Sequence, residues 1–169
     1  MVDLKEFEQK AADLRVLGMK ISIGQDTVYE KYWDEDCRRN IYSASKSFTS
    51  CAVGFAVQEG LIDLDERLMD AFKEDIPNNP DENLKKATVK DLLTMTLGQE
   101  KGFLMGKQRP RMEEQNWVKA SLAIPFVYEP GTHFVYNNVG PYLAGILVQR
   151  RAGCDLLSYL TPRLLKPLG

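Results

Sequence analysis

Apolar positions along the chain switch between a helical and a strand period, and this switching marks out the elements. Leu4, Phe7, Ala11 and Leu14 make one stripe over residues 3–14, which predicts an opening helix. Met19, Ile21 and Ile23 alternate with polar residues. Gly24-Gln25-Asp26 carries turn chemistry, and Val28 to Trp33 reads as the returning strand of a hairpin. Past the charged run Asp34 to Arg39, the residues Phe48, Cys51, Ala52, Phe55 and Ala56 recur at the spacing of a buried helix face. Gly60 stops that helix. Leu61, Leu64 and Leu68 suit a short turn-rich segment, and Ile76 to Pro80 a loop. Thr88 to Met95 predicts a short helix with Thr88 as N-cap and Leu92 and Leu93 buried. Residues 99–118 are polar and read as a mobile or variable segment. Trp117, Leu122 and Phe126 return to the core. Pro130-Gly131 marks a turn, and Pro141 to Arg151 a further apolar helix.

Composition narrows the class. The chain has 169 residues, 44% hydrophobic and 27% charged, with a net charge of −2, as for a globular domain with a proper core. That balance gives no electrostatic reason for a nucleic acid or an anionic membrane as partner. No apolar run is long enough to span a bilayer, and no charged-then-apolar leader opens the chain. If Met1 is the natural start the expected location is the cytoplasm, with export open otherwise. Cys37, Cys51 and Cys154 form neither a metal-ligand pattern nor a disulfide framework, and Cys51 reads as a small core residue. His133 is the single histidine, so no metal site and no cofactor is expected.

Candidate chemistry begins at Ser43, near the start of the helix, with Lys46 one turn on. A three-residue step puts both side chains on one face. A serine hydroxyl is a poor nucleophile until a partner takes its proton. A lysine serves only when desolvation or nearby positive character lowers its pKa. The helix N-terminus supplies such character, and its N–H groups can also stabilise an oxyanion. The plainer alternative makes Ser43 an N-cap and Lys46 a solvated first-turn residue. The second candidate element is Tyr136-x-Asn138, between the Pro130-Gly131 turn and the following helix. Tyr136 as a core aromatic and Asn138 as an N-cap are the structural alternatives there.

Three passages together carry a resemblance: Ile41 to Lys46 running into Glu59 to Asp65, Thr88 to Gly98, and Pro130-Gly131 through Tyr136-Asn137-Asn138. The chain resembles the penicillin-recognising serine hydrolases: class C β-lactamases, D-alanyl-D-alanine carboxypeptidases and related esterases. The resemblance implies Ser43 as nucleophile, with Lys46 and Tyr136 sharing its proton. Asn138 would bind the substrate amide and hold the lysine. Met95 and Leu97 stand where many members carry His and Ser. A small-molecule substrate is implied: a β-lactam, an ester or a D-amino-acid amide. Arg109-Pro110-Arg111 is a further candidate for a substrate carboxylate.

The implied fold is α/β of the α+β type, a β-lactamase/transpeptidase-like mixed antiparallel sheet flanked by helices plus a helical region. Residues 1–40 would supply the helix and hairpin, and 41–169 the mainly helical part, within one domain. The family's third motif, Lys-[Ser/Thr]-Gly or His-x-Gly, is not found before Gly169. The expectation is therefore an N-terminal half only: an incomplete sheet needing a missing C-terminal half or a second copy. Such a chain would be inactive alone, or a non-catalytic binding or interaction module on the same fold.

Overall fold

A computed structural model describes residues 3–35 and 37–169, so Met1 and the Asp36 of the charged run lie outside it. The chain divides into two compact units, Met1–Ile41 and Tyr42–Gly169.

In the first unit helix α1 (Lys5–Ala11) is followed by strands β1 (Gly18–Ile23) and β2 (Asp26–Tyr32). The strands pair antiparallel from Gly18↔Tyr32 to Ile23↔Asp26, with an irregularity between Ile21 and Ser22. Met19 and Ile21 lie half-buried between exposed neighbours, as a period of two requires. Glu8 of α1 accepts hydrogen bonds from the Tyr29 hydroxyl (2.9 Å) and the Lys31 ammonium (2.5 Å) of β2. Those bonds, Lys31 first, hold its carboxyl below the usual carboxylate range. Phe7 meets Trp33 edge to face, with ring centroids 6.0 Å apart. Leu14, expected on the α1 stripe, is exposed because the helix ends at Ala11.

The second unit is helical. A 3-10 turn (Tyr42–Ala44) leads into α2 (Ser45–Gln58), followed by α3 (Leu68–Ala71), α4 (Glu82–Lys86), α5 (Val89–Thr94), α6 (Trp117–Leu122), α7 (Val139–Ala152) and α8 (Leu156–Leu160). A π turn over Thr161–Leu165 and a last helical stretch complete it. Helix α7 is the axis of this unit and packs on α2, α5 and α8. Its Leu143, Ala144, Leu147 and Val148 are buried with Leu68, Phe72, Leu92, Leu97, Val118 and Leu122. Each fully buried leucine of this kind contributes about 1.5–3 kcal/mol.

Helix α2 buries Ala52, Val53 and Ala56, whereas Cys51 and Phe48 are exposed, which corrects the expected face. The small residues are the ones turned inward, and Gly145 of α7 lies against Thr49 of α2. Gly60 has φ +71, and the Leu61 N–H turns back to the Ala56 carbonyl, closing α2. Thr88 begins α5 through Asp91, whose carboxylate accepts from the Thr88 N–H (2.9 Å) and hydroxyl (2.8 Å).

The expectation of a mixed sheet, left incomplete and waiting for a missing C-terminal half or a second copy, is corrected here. Among the described residues the sheet is a two-stranded antiparallel one, its strands paired from Gly18↔Tyr32 to Ile23↔Asp26. The helical unit closes on a core made by its own helix faces. The 99–118 segment also departs from its sequence reading: Gln99, Leu104 and Val118 are buried.

Candidate active site

The site is built where three stretches of the helical unit converge. The first is the 3-10 turn into α2. It carries Ser43, and Lys46 follows in the first turn of the helix proper. Lys46 Nζ donates to Ser43 Oγ at 3.1 Å. Ser43 is not a cap; the residue at that position is Ala44, whose side chain has no oxygen to offer.

The second stretch, residues 129–138, has no regular secondary structure and is shaped by specific backbone bonds. Glu129 to Thr132 form a tight turn in which the Thr132 N–H donates to the Glu129 carbonyl at 3.2 Å. Pro130 presets the turn, and Gly131 adopts φ +83, which an L side chain rarely does. The Val135 N–H then donates to Met95 O (3.0 Å) and the Gly131 N–H to Thr96 O (2.9 Å). So fastened, the chain delivers Tyr136, whose hydroxyl donates to Ser43 Oγ at 2.7 Å. Lys46 Nζ lies 5.2 Å from the centroid of the same ring. The Tyr136 hydroxyl is held below the ordinary tyrosine pKa, first by its bond to Ser43 and then by the Lys46 ammonium.

The third stretch is the 102–105 loop, which composition alone left as variable segment. Asn138 Nδ2 donates to Leu104 O at 3.0 Å and lies 3.6 Å from the Met105 sulfur, while the Asn138 N–H donates to Phe103 O at 3.2 Å. Gly102 faces the Tyr136 carbonyl so closely that a Cβ would stand 2.8 Å from its oxygen. The available signal was the apolar triplet Phe103-Leu104-Met105 inside a polar stretch. Asn138 therefore meets this loop; no hydrogen bond joins it to Lys46 among the described residues.

Other candidates lie elsewhere. Arg109 and Arg111 sit in an exposed 3-10 turn, and Arg111 lines an open groove of about 530 Å³ with Phe103, Lys107 and Met112. His133 stacks on Tyr128 with centroids 4.2 Å apart and is bonded to Thr132. Met95 caps α5 in a left-handed conformation and Leu97 is buried. Among the described residues no group of His, Cys, Asp or Glu is placed to hold a metal ion. None of their helices is long and apolar enough to cross a membrane.

A sequence model of the Beta-lactamase family matches residues 5–169. The chain is 31% identical over 156 residues to monacolin J acid methylbutanoyltransferase of Aspergillus terreus, covering 80% of this chain and 37% of that protein. It is 30% identical over 149 residues to the lovastatin esterase of Penicillium rubens, covering 75% and 37%. The octameric penicillin-binding protein homologue from Pyrococcus abyssi superposes with a TM-score of 0.74 at 24% identity, over 99% of this chain and 43% of that one. The chain thus spans just over a third of the length of these two curated relatives.

These matches overturn two expectations. The expectation of an N-terminal half only is corrected by the family model, which runs over residues 5–169, nearly the whole chain. Inactivity for want of the third motif does not stand either. The matches extend across the chain, and the serine, lysine and tyrosine meet within it. The chain belongs to the β-lactamase family and is classed with the β-lactamase-related serine hydrolases.

Proposed function

We propose that the chain carries the acyl-transfer centre of an ester-directed serine enzyme, with Ser43 as the group acylated. One observation carries this reading: Ser43 Oγ is shared between the Tyr136 hydroxyl at 2.7 Å and the Lys46 ammonium at 3.1 Å. Two groups able to move a proton converge on one hydroxyl, and the cation lies beside the phenol that it helps to ionise.

In the proposed reaction Tyr136, as phenolate, takes the Ser43 proton while Oγ attacks the acyl carbonyl. The tetrahedral intermediate collapses, the bond to the leaving alcohol breaks, and Tyr136 returns its proton to that alcohol. Acyl-Ser43 is then cleared by water or a second alcohol, with Tyr136 again as base. Lys46 Nζ lies beside both Ser43 Oγ and the Tyr136 ring during these steps. Asn138 is the proposed substrate contact. One N–H of its amide is committed to Leu104, and the other, held only by the weakly accepting Met105 thioether, is available to the acyl donor.

Esters are favoured as donors because the relatives named above are, by name, an acyltransferase and an esterase. A cytoplasmic location forms part of the proposal. Its support is that all three cysteines are free and exposed, as suits a reducing compartment; fractionation of cells for the native protein tests it.

The deciding experiment is intact-mass measurement after exposure to a p-nitrophenyl ester and, separately, to a penicillin, with Ser43→Ala in parallel. An ester-derived adduct that disappears in the variant supports the reading. An adduct from the penicillin alone would replace the ester by a β-lactam, and no adduct with either reagent would overturn the acyl-enzyme.

A further inference from the structure

We propose that Gln108 is a positioning residue for Asn138, acting through the Leu104–Met105 peptide. The inference rests on Asn138 being a contact for the acyl donor. Gln108 stands three residues past Met105, and its half-buried side chain folds back, so that Gln108 Oε1 accepts from the Met105 N–H at 2.9 Å. The Gln108 N–H closes the same turn on the Met105 carbonyl at 2.8 Å. This is the glutamine half of a capping box, in which a side chain three residues on ties down the N–H that opens a turn.

The Met105 N–H and the Leu104 carbonyl belong to one planar peptide unit and point in opposite directions. Gln108 holds the N–H end, and the carbonyl end accepts from Asn138 Nδ2 at 3.0 Å. Leu104 is buried with φ +55, a left-handed conformation that a leucine keeps where its neighbours hold it. With both ends bonded, the unit turns only by breaking one of the two bonds. An asparagine amide rotates about its last torsion, and a half turn exchanges its carbonyl edge for its NH2 edge. The Leu104 carbonyl is an acceptor only, so it selects the NH2 edge and leaves the second N–H and Oδ1 of Asn138 at set places. The Asn138 backbone N–H, donating to Phe103 O at 3.2 Å, fixes the root of that side chain. Gln108 thus sets the aim of Asn138 through the peptide between them.

The test measures acylation by p-nitrophenyl butyrate in the wild type, Gln108→Met and Gln108→Glu. It repeats Gln108→Met in an Asn138→Ala background and adds a crystal structure of Gln108→Met. Gln108→Met keeps the length but offers no oxygen, and is expected to lower kcat/KM roughly tenfold. Gln108→Glu keeps the acceptor and is expected to stay within about threefold of the wild type. Once Asn138 is Ala, the Gln108→Met change is expected to alter kcat/KM by less than about twofold, because its effect runs through the missing amide. In the crystal the Leu104 carbonyl is expected to have turned out of hydrogen-bond reach of Asn138 Nδ2. A loss of equal size in both backgrounds marks a merely structural role and overturns the proposal. So do an unchanged kcat/KM in Gln108→Met, a failure of Gln108→Glu to keep the rate, or a Leu104 carbonyl still bonded to Asn138. Full activity in Asn138→Ala, or no acylation in the wild type, is a different failure. It removes the reading on which the inference rests, and the crystal structure still judges the hold of Gln108 on the peptide.

Discussion

The Tyr136 hydroxyl donates to Ser43 Oγ at 2.7 Å across 93 positions of the chain, from a stretch without regular secondary structure to the start of a helix. Removing that oxygen tests the proposed proton route directly. Tyr136→Phe is expected to slow acylation of Ser43 by roughly 100- to 10,000-fold, the usual worth of a positioned acid–base group. Stopped-flow release of nitrophenol reads the rate, and the thermal midpoint shows that the fold survives.

The depressed Tyr136 pKa gives a pH signature with a definite sign. With Tyr136 as the proposed base in its phenolate form, the acylation rate is expected to rise with pH through an apparent pKa below the ordinary 10.0 and to level off above it. Replacing Lys46 by Met removes one of the two causes and moves that limb upward. The ultraviolet difference spectrum between the wild type and Tyr136→Phe follows the same ionisation without turnover. A limb at or above 10.0 would contradict the assignment.

Gly102 offers a test from outside the reacting groups. In Gly102→Ala the new Cβ would stand 2.8 Å from the Tyr136 carbonyl oxygen, so one backbone must move. A displacement of this kind is expected to cost roughly tenfold or more in acylation rate, because small misplacements of reacting groups are expensive. The crystal structure of the variant should show Tyr136 drawn away from Ser43.

Asp91 holds the start of α5, and the carbonyls of Met95 and Thr96, just past its end, fasten residues 131–135. Its buried carboxylate accepts from the Thr88 N–H and from the hydroxyls of Thr88 (2.8 Å) and Thr96 (3.2 Å). Asp91→Ala takes the acceptor from the Thr88 N–H and hydroxyl and is expected to cost about 1–3 kcal/mol, read from denaturant unfolding.

At the far end of α2, Glu59 accepts from Arg163 at 2.6 and 3.1 Å and from the Tyr159 hydroxyl at 2.8 Å. Arg163 first, then Tyr159, holds the Glu59 carboxyl below its ordinary 4.5. The stability this provides is full above 4.5 and is lost as pH falls through the lowered value. Burial first, then Glu59, pushes the Tyr159 hydroxyl up to about 12. Its contribution is full below 10.0 and is lost as pH climbs toward 12. Arg163→Met should lower the thermal midpoint at neutral pH, and the gap to wild type should close on acidification.

Local periodicity made part of this molecule legible. Ser43 and Lys46 are neighbours because a three-residue step in a helical turn leaves little choice, and Thr88 was readable as the start of α5 because its partner Asp91 is three residues on. The hairpin follows from alternation around Gly24. The same reasoning failed where the answer lay in what an element packs against. The stripe on α2 showed that one face is buried, but the neighbour chose Ala52, Val53 and Ala56 over Phe48 and Cys51, since small side chains let α7 approach closely. The supposedly variable 102–105 loop is pinned by Asn138, a bond between residues 34 positions apart. The pairing of Ser43 with Tyr136 likewise depends on the Glu129–Thr132 turn and on carbonyls of residues 95 and 96. Short-range spacing is set by helix and strand geometry, which each residue carries with it. The meeting of distant side chains is set by how whole faces pack, and that is decided only when the core forms.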